Sequence, residues 1–173
     1  SAASDVYKRQ ILALYERNGI DGLKLLRGMY AFIIYDKKHD EVIIGRDEFG
    51  IKPLYFSLMK NGIAFCSETK PIVSLKKSIP NINVWKLFEY MQLQYSSGTE
   101  TLYEGIQRVA PGQILVIKRG KIIKSFLSSF TQKKKSINDA ELIASLDKSL
   151  RESVSSHLRS DVPYCIFFSG GID

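Results

Sequence analysis

The spacing of apolar side chains changes several times along the chain, and helical spacing predicts three helices. The first covers residues 11–26 and is interrupted at Asn18-Gly19. The second follows Asn83, a capping residue, and its apolar residues repeat at i, i+3, i+4 and i+7: Val84, Leu87, Phe88 and Met91. The third begins at Asn138 or Asp139, and its predicted buried stripe repeats at every fourth position: Leu142, Leu146, Leu150, Val154 and Leu158.

Shorter apolar runs between polar turns predict strands. These are residues 29–35, 42–44, 51–56, 63–66, 113–117, 122–123 and 164–168. The first two runs predict a hairpin whose strands are apolar enough to be covered on both faces. The turn signal Asn61-Gly62 joins the third and fourth runs, and 113–117 with 122–123 predict another hairpin. The last run follows Pro163 and is typical of a strand in a parallel sheet. The long third helix and this last strand fit the start of an α/β domain.

Charge and hydropathy make two kinds of partner unexpected. The net charge is +7, but the basic residues are scattered apart from Lys133-Lys134-Lys135, so a nucleic-acid-binding face is not expected. No apolar run reaches the roughly 18 residues that cross a bilayer, so no membrane partner is expected. The lysine run is interpreted as part of a linker over 128–136. Residues 1–10 do not join smoothly to the helix that follows and are interpreted as a foreign or disordered end.

The cysteines and histidines give no metal-ligand spacing, so no metal site is predicted. Cys66 and Cys165 each lie in an apolar run and are interpreted as buried structural thiols. His39 lies in a polar turn and His157 lies near a helix end, and both are expected at the surface.

The last five residues, Ser169-Gly170-Gly171-Ile172-Asp173, follow an apolar run directly. Glycines let the backbone approach an anion closely, and successive N–H groups in such a turn form a concave site for phosphate. Ser169 adds a hydroxyl donor, whereas Asp173 would act through its backbone N–H, as a helix cap, or through Mg²⁺. Ser-Gly-Gly also occurs in ordinary turns, which is the alternative interpretation. We expect the chain to be a fragment that stops inside a phosphate-binding loop.

A longer set of motifs, in order, resembles the glutamine-dependent asparagine synthetases. Segments 26–32, 45–55 and 65–70 are similar to the glutaminase domain of that family, with Gly45-Arg46-Asp47 in the second of them. Segments 101–106 and 110–112 resemble its later part. Segments 159–163 and 168–173 resemble the start of its synthetase domain. The resemblance runs from about Ile11 to the last residue.

This resemblance implies a chemistry and a fold, namely an α+β part followed by the first helix and strand of an α/β nucleotide-binding domain. In that family the first domain is a class II glutamine amidotransferase with an N-terminal-nucleophile αββα sandwich, whose N-terminal cysteine releases ammonia from glutamine. The second is an ATP pyrophosphatase that uses ATP and Mg²⁺ to activate aspartate, which ammonia converts to asparagine. Residues 11–127 would be the C-terminal part of the glutaminase domain, and 137–173 would begin the synthetase domain. Ser169, Gly170, Gly171 and Asp173 would bind the pyrophosphate part of ATP. A cytoplasmic protein is expected, with a homodimer as an open alternative.

Departures from the family pattern limit what is carried over. Residue 1 is Ser1 and no cysteine precedes Cys66, so no catalytic residue is assigned and the chain alone is expected to be inactive. Cys66 stands where the family usually has alanine and is interpreted as a packing residue. Ser4-Asp5 resembles the pair that contacts glutamine in the family, but it lies too far from Ile11, so Asp5 receives no role.

Some alternatives stay open. Arg46 and Asp47 could contact glutamine, or they could form an ion pair that shapes a turn closed by Gly50. The turn is favoured because Gly50 and Pro53 already mark it. The role of Glu68, after a strand end, is undecided. For function, the alternatives are an ATP-dependent amidotransferase of polysaccharide biosynthesis, a β-lactam-synthetase-like enzyme and a non-enzymatic binding module.

Overall fold

The structure is a computed structural model that describes residues 2–128, 138–158 and 163–171, and it describes no side chain of residues 2–8. The chain divides into two compact units, Arg9–Phe130 and a second one made of Ser1–Lys8 and Thr131–Asp173. The helices are α1 (Ala2–Leu23), α2 (Thr69–Leu75), α3 (Val84–Leu93) and α4 (Asp139–His157). The strands are β1 (Ala31–Asp36), β2 (Glu41–Arg46), β3 (Tyr55–Met59), β4 (Gly62–Cys66), β5 (Gln107–Arg108), β6 (Gln113–Lys118) and β7 (Lys121–Leu127).

The strands of the first unit form two antiparallel sheets. One sheet has the order β1-β2-β6-β7 and the other has the order β4-β3-β5. The predicted hairpins β1–β2, β3–β4 and β6–β7 are confirmed. Helices combined with antiparallel sheets also confirm the α+β class of this part.

The core lies on both faces of the four-stranded sheet, because successive side chains of a strand point to opposite faces. Ile43 of β2 packs with the buried Leu23 and partly buried Tyr15 of α1. The next residue, Ile44, packs on the other face with Leu54 and Phe56 from the three-stranded sheet. The layers are therefore α1, the four-stranded sheet and the three-stranded sheet.

Strand β1 corrects one expectation. Phe32 and Ile34 are buried, but Ile33 and Tyr35 are 47% and 57% exposed, so this strand is covered on one face only. It is an edge strand, and in antiparallel sheets one face commonly meets solvent. Strand β3 also begins later than expected, at Tyr55, and the two-residue loop after it is Lys60-Asn61, one residue before the predicted turn.

Helix α1 extends from Ala2, well before the predicted start at Ile11. The predicted interruption is confirmed, because Gly19 has a non-helical backbone with φ of 59°. A side chain there would meet no atom within 4 Å, so the requirement for glycine is conformational. The backbone of residues 2–10 is helical, and whether this end is foreign stays a prediction.

The two later helices begin where their caps predict. The side chain of Asn83 accepts a hydrogen bond from the N–H of Lys86 at 3.2 Å. Asn138 caps α4 by accepting from the N–H of Glu141 at 2.9 Å. The leucine stripe of α4 is exposed rather than buried, since no described part of the second unit covers it. No helix within the described ranges is long and apolar enough to cross a membrane.

Candidate functional site

The terminal loop of the second unit has the backbone expected of a tight, glycine-dependent turn. Gly170 adopts φ of 75°, a left-handed conformation that favours glycine. The N–H of Gly171 donates to Oγ of Ser169 at 3.3 Å, so the serine hydroxyl folds back over the loop. All three residues are exposed, and Asp173 lies outside the described residues. The loop therefore exposes the Ser169 hydroxyl to solvent, whereas the Gly171 N–H is used within the loop.

The segment that leads into this loop is not a strand, which corrects the prediction for 164–168. Residues 163–171 have no regular secondary structure, because none of the strands in the described part of the chain pairs with them. Phe167 and Phe168 are more than 90% exposed. Cys165 is exposed as well, so its interpretation as a buried thiol was wrong for this structure, and Cys66 is only half-buried.

A second constellation, in the first unit, is built around Asp47 at the end of β2. Its side chain is fully buried and accepts from the N–H groups of Phe49 (3.2 Å), Ile51 (2.9 Å) and Lys52 (2.9 Å). Burial opposes ionisation, but these backbone hydrogen bonds outweigh it and hold the pKa of the Asp47 carboxyl below its ordinary value. The buried carboxylate thus fixes the turn that follows β2.

Arg46 braces the same turn from its carbonyl side. Its Nε donates to the carbonyl of Lys52 at 2.8 Å, Nη1 donates to the carbonyl of Val109 at 2.8 Å, and Nη2 donates to that of Gly50. Burial lowers the pKa of Arg46, with a further contribution from the charge of Arg108. Both side chains therefore bond to backbone rather than to each other. This geometry supports the turn-shaping interpretation, although the expected ion pair is replaced by backbone hydrogen bonds.

The remaining candidate residues, one glutamate and two histidines, lie at the surface. Glu68 is the N-cap residue of α2, is exposed, and makes no side-chain capping bond. His39 is exposed in the β1–β2 turn and His157 is exposed at the end of α4, as predicted. Among the described residues, no cluster of histidine, cysteine, aspartate or glutamate has a geometry that could hold a metal ion.

Sequence reasoning missed one cluster in the first unit. Four tyrosines and Arg108 line a cavity of about 260 Å³ there. Two of those tyrosines, Tyr55 and Tyr103, belong to segments singled out above, but their convergence depends on the pairing of β3 with β5. The only available signal was the frequency of tyrosine in segments 90–103.

The described geometry, a layered α+β unit followed by a glycine loop, agrees with comparison to known protein families. Residues 2–130 match the family described as "Glutamine amidotransferase domain", and residues 145–173 match the family described as "Asparagine synthase". The first match covers most of the chain, so the chain belongs to the glutamine amidotransferase domain family. The predicted resemblance is therefore confirmed.

Individual relatives are named as asparagine synthetases or as amidases. The chain is 36% identical over 166 residues to "Asparagine synthetase [glutamine-hydrolyzing] 1" of Bacillus subtilis, covering 94% of this chain and 26% of that protein. It is 31% identical to "Asparagine synthetase B [glutamine-hydrolyzing]" of Escherichia coli, covering 94% and 25%. It is 26% identical to "Amidase chry2" of Gibberella zeae, covering 94% and 24%. The chain thus spans about a quarter of the length of these relatives.

Proposed function

We propose that this chain is part of a glutamine-hydrolysing asparagine synthetase, a carbon–nitrogen ligase of asparagine biosynthesis. The parent enzyme would use ATP to amidate aspartate with ammonia released from glutamine. The observation that carries the proposal is the match of two family models to successive stretches of one chain, the amidotransferase model over 2–130 and the synthase model over 145–173. Relatives with the asparagine synthetase name align over 94% of the chain.

The first unit would be the C-terminal part of an N-terminal-nucleophile αββα sandwich. Support comes from its layers, in which α1 covers one face of a four-stranded sheet and a three-stranded sheet covers the other. Helix α2 contacts β3 and β4, which supplies helical cover for the second sheet. In this division residues 11–127 belong to the glutaminase domain, 128–136 form a linker, and 137–173 begin the synthetase domain.

The terminal loop would hold the pyrophosphate part of ATP through Ser169, Gly170, Gly171 and Asp173. In support, the Ser169 hydroxyl is exposed, and the left-handed Gly170 gives the tight turn in which backbone N–H groups can approach phosphate oxygens closely. A carboxylate for Mg²⁺ would have to come from Asp173, outside the described residues. Mg²⁺, when bound with ATP, would neutralise phosphate charge. The serine and glycines would orient the phosphate chain.

No residue of this chain is assigned to glutamine hydrolysis. The family nucleophile is an N-terminal cysteine, whereas the two cysteines of this chain are Cys66, in β4, and Cys165. Arg46 and Asp47 would support the glutaminase domain indirectly by fixing the turn after β2.

The proposal is tested with the purified 173-residue chain and with the protein encoded by the complete gene. We expect the chain to release no ammonia from glutamine and to bind ATP at most very weakly. We expect the complete protein to form asparagine from aspartate, glutamine and ATP with release of AMP and pyrophosphate. Robust ammonia release by the 173-residue chain would contradict the assignment of the nucleophile to an N-terminal cysteine.

A second candidate keeps both half-reactions but changes the acceptor. It is favoured by relatives named amidase, which align with 26% identity over 94% of the chain. Such an ATP-dependent amidotransferase would hydrolyse glutamine and adenylate an acceptor other than aspartate. In the same assay the complete protein would then release pyrophosphate with other carboxylates but not with aspartate.

Cellular location and assembly belong to the same proposal. A cytoplasmic homodimer would fit an enzyme of amino-acid biosynthesis, and neither nucleic acid nor a membrane has a part in it. Light scattering of the complete protein would test the dimer, and a monomer at all concentrations would contradict it.

A further inference from the structure

The cavity of about 260 Å³ in the first unit has an unusual lining of aromatic rings and one cation. Its rings come from Tyr55, Tyr90, Tyr95 and Tyr103, and its cation is Arg108. No carboxylate lines it. None of the four tyrosine hydroxyls takes part in a hydrogen bond with the described part of the chain. The cavity therefore offers aromatic faces, free hydroxyls and positive charge together.

Arg108 is held in place and still has donors to spare. Its Nη1 donates to the carbonyls of Ser96 (2.9 Å) and Gly98 (3.0 Å), and Nη2 donates to Oγ of Ser96 (3.1 Å). A guanidinium has five N–H donors. The Nε–H and one N–H of Nη2 donate to nothing among the described residues. Neighbouring donors of this kind match the two oxygens of a carboxylate or phosphate.

The segment that carries Tyr95 is held by contacts at Ser97, two residues further on. Nζ of Lys86 contacts the Glu89 carboxylate at 2.7 Å and donates to the carbonyl of Ser97 at 3.0 Å. The same carboxylate accepts from the N–H of Ser97 at 2.9 Å. The guanidinium of Arg108 also lies over the ring of Tyr55, at 5.7 Å from its centroid. Arg108 and the backbone that follows Tyr95 are thus positioned before any ligand arrives, which lowers the entropic cost of binding.

We propose that this cavity is a binding site for a small molecule that combines a planar ring with a carboxylate or phosphate group. The ring would stack against the tyrosines, and the anion would take the two unused donors of Arg108. The tyrosine hydroxyls and the amide of Gln94 could hydrogen-bond to the polar edge of that ring. The site goes beyond the proposed function and does not depend on it.

Binding is tested by ligand-observed NMR and calorimetry on the 173-residue chain, with AMP and benzoate as ring-plus-anion probes. Adenosine carries a ring without an anion, and inorganic phosphate carries an anion without a ring. We expect saturable but weak binding of AMP or benzoate, with a Kd on the order of 1 mM. Adenosine and phosphate alone should bind about tenfold more weakly. AMP-only binding would identify a phosphate ligand, and benzoate-only binding would identify a carboxylate.

Variants locate the binding. Tyr95→Ala, at a 60% exposed position, should weaken binding about tenfold, whereas Tyr35→Ala at the similarly exposed Tyr35 of β1 should leave it unchanged. Arg108→Lys should remove the preference for AMP over adenosine. If Arg108→Lys also disturbs the fold, seen by circular dichroism, Tyr95→Ala decides alone. No saturable binding of either probe would overturn the proposal, as would binding that survives Tyr95→Ala but is lost in Ser169→Ala.

Discussion

The two units of this chain differ in how much apolar surface their described residues bury. In the first unit, Ile43, Ile44 and Val116 are fully buried and two apolar clusters cover both faces of a sheet. In the second, every described residue from 138 to 158 and from 163 to 171 is exposed. The first unit is stabilised mainly by burial of apolar surface, which the second lacks among its described residues.

Helix α4 shows how far local interactions go without burial. It has an Asn138 cap, acidic residues in its first turn and His157 in its last. It also has i, i+4 ion pairs, Arg151 with Asp147 at 2.8 Å and Lys148 with Glu152 at 3.9 Å. A cap contributes about 1 kcal/mol and each ion pair a few tenths. Such signals specify where a helix forms, but they add little stability compared with the core.

The sharpest test of this comparison is amide hydrogen exchange. Amides of β2 and β6 should exchange only in rare openings, since these two strands lie between the two apolar clusters. Amides of α4 should exchange at least about a thousandfold faster, since their local opening exposes little new apolar surface. Exchange measured by mass spectrometry on the intact chain checks this. Equal or slower exchange in α4 would show that the second unit has a core of its own.

Truncation of one aliphatic side chain in each unit gives the next largest effect. Ile43→Ala would leave a cavity under α1 and should destabilise the first unit by about 3 kcal/mol. Leu146→Ala, at a position that is 56% exposed, should change stability by less than about 0.5 kcal/mol. Urea unfolding followed by circular dichroism measures both. A large loss from Leu146→Ala would mean that the α4 stripe is covered in solution.

Substitution of one aspartate in each unit compares the loss of a buried charge with the loss of an exposed one. Asp47→Asn would turn one acceptor into a donor facing backbone N–H groups, and should cost about 2 kcal/mol or more. Asp147→Asn removes an exposed ion pair and should cost no more than about 0.5 kcal/mol. Urea unfolding followed by circular dichroism measures the change in stability for both substitutions. Equal effects of the two substitutions would remove the structural role assigned to Asp47.

These contrasts also explain which features the sequence could predict. The Asn83 and Asn138 caps and the three hairpins were predicted because their signals lie within a few residues of each other. The exposed 164–168 segment was predicted as a strand because its apolar run resembles one, but a strand requires a partner, which no sequence run supplies. The short α2 was missed because Ile72 is its only buried residue.

The site residues divide in the same way. The glycine turn at Gly170 could be predicted because its conformation is a property of glycine itself. The turn-shaping role of Arg46 could be predicted, but its partners could not, since Nη1 donates to the carbonyl of Val109, 63 residues away along the chain. The tyrosine cavity depends on long-range pairing too. Local chemistry can therefore be predicted from the sequence, whereas the groups that brace it cannot.

The smallest expected effect concerns pH and the Glu89 carboxylate of α3. Hydrogen bonds from Lys86 and Ser97 lower its pKa from 4.5 to about 2. Between these two pH values the unfolded chain therefore binds a proton more readily than the folded chain. The stability contributed by ionised Glu89 is present above pH 4.5 and is lost as pH falls towards 2.

Glu89→Gln should make the melting temperature fall less steeply over this range. Glu152→Gln, at an exposed ion pair of α4, is the matched control and should leave the slope unchanged. Parallel melting curves for wild type and Glu89→Gln would show that the carboxylate does not hold the segment that carries Tyr95.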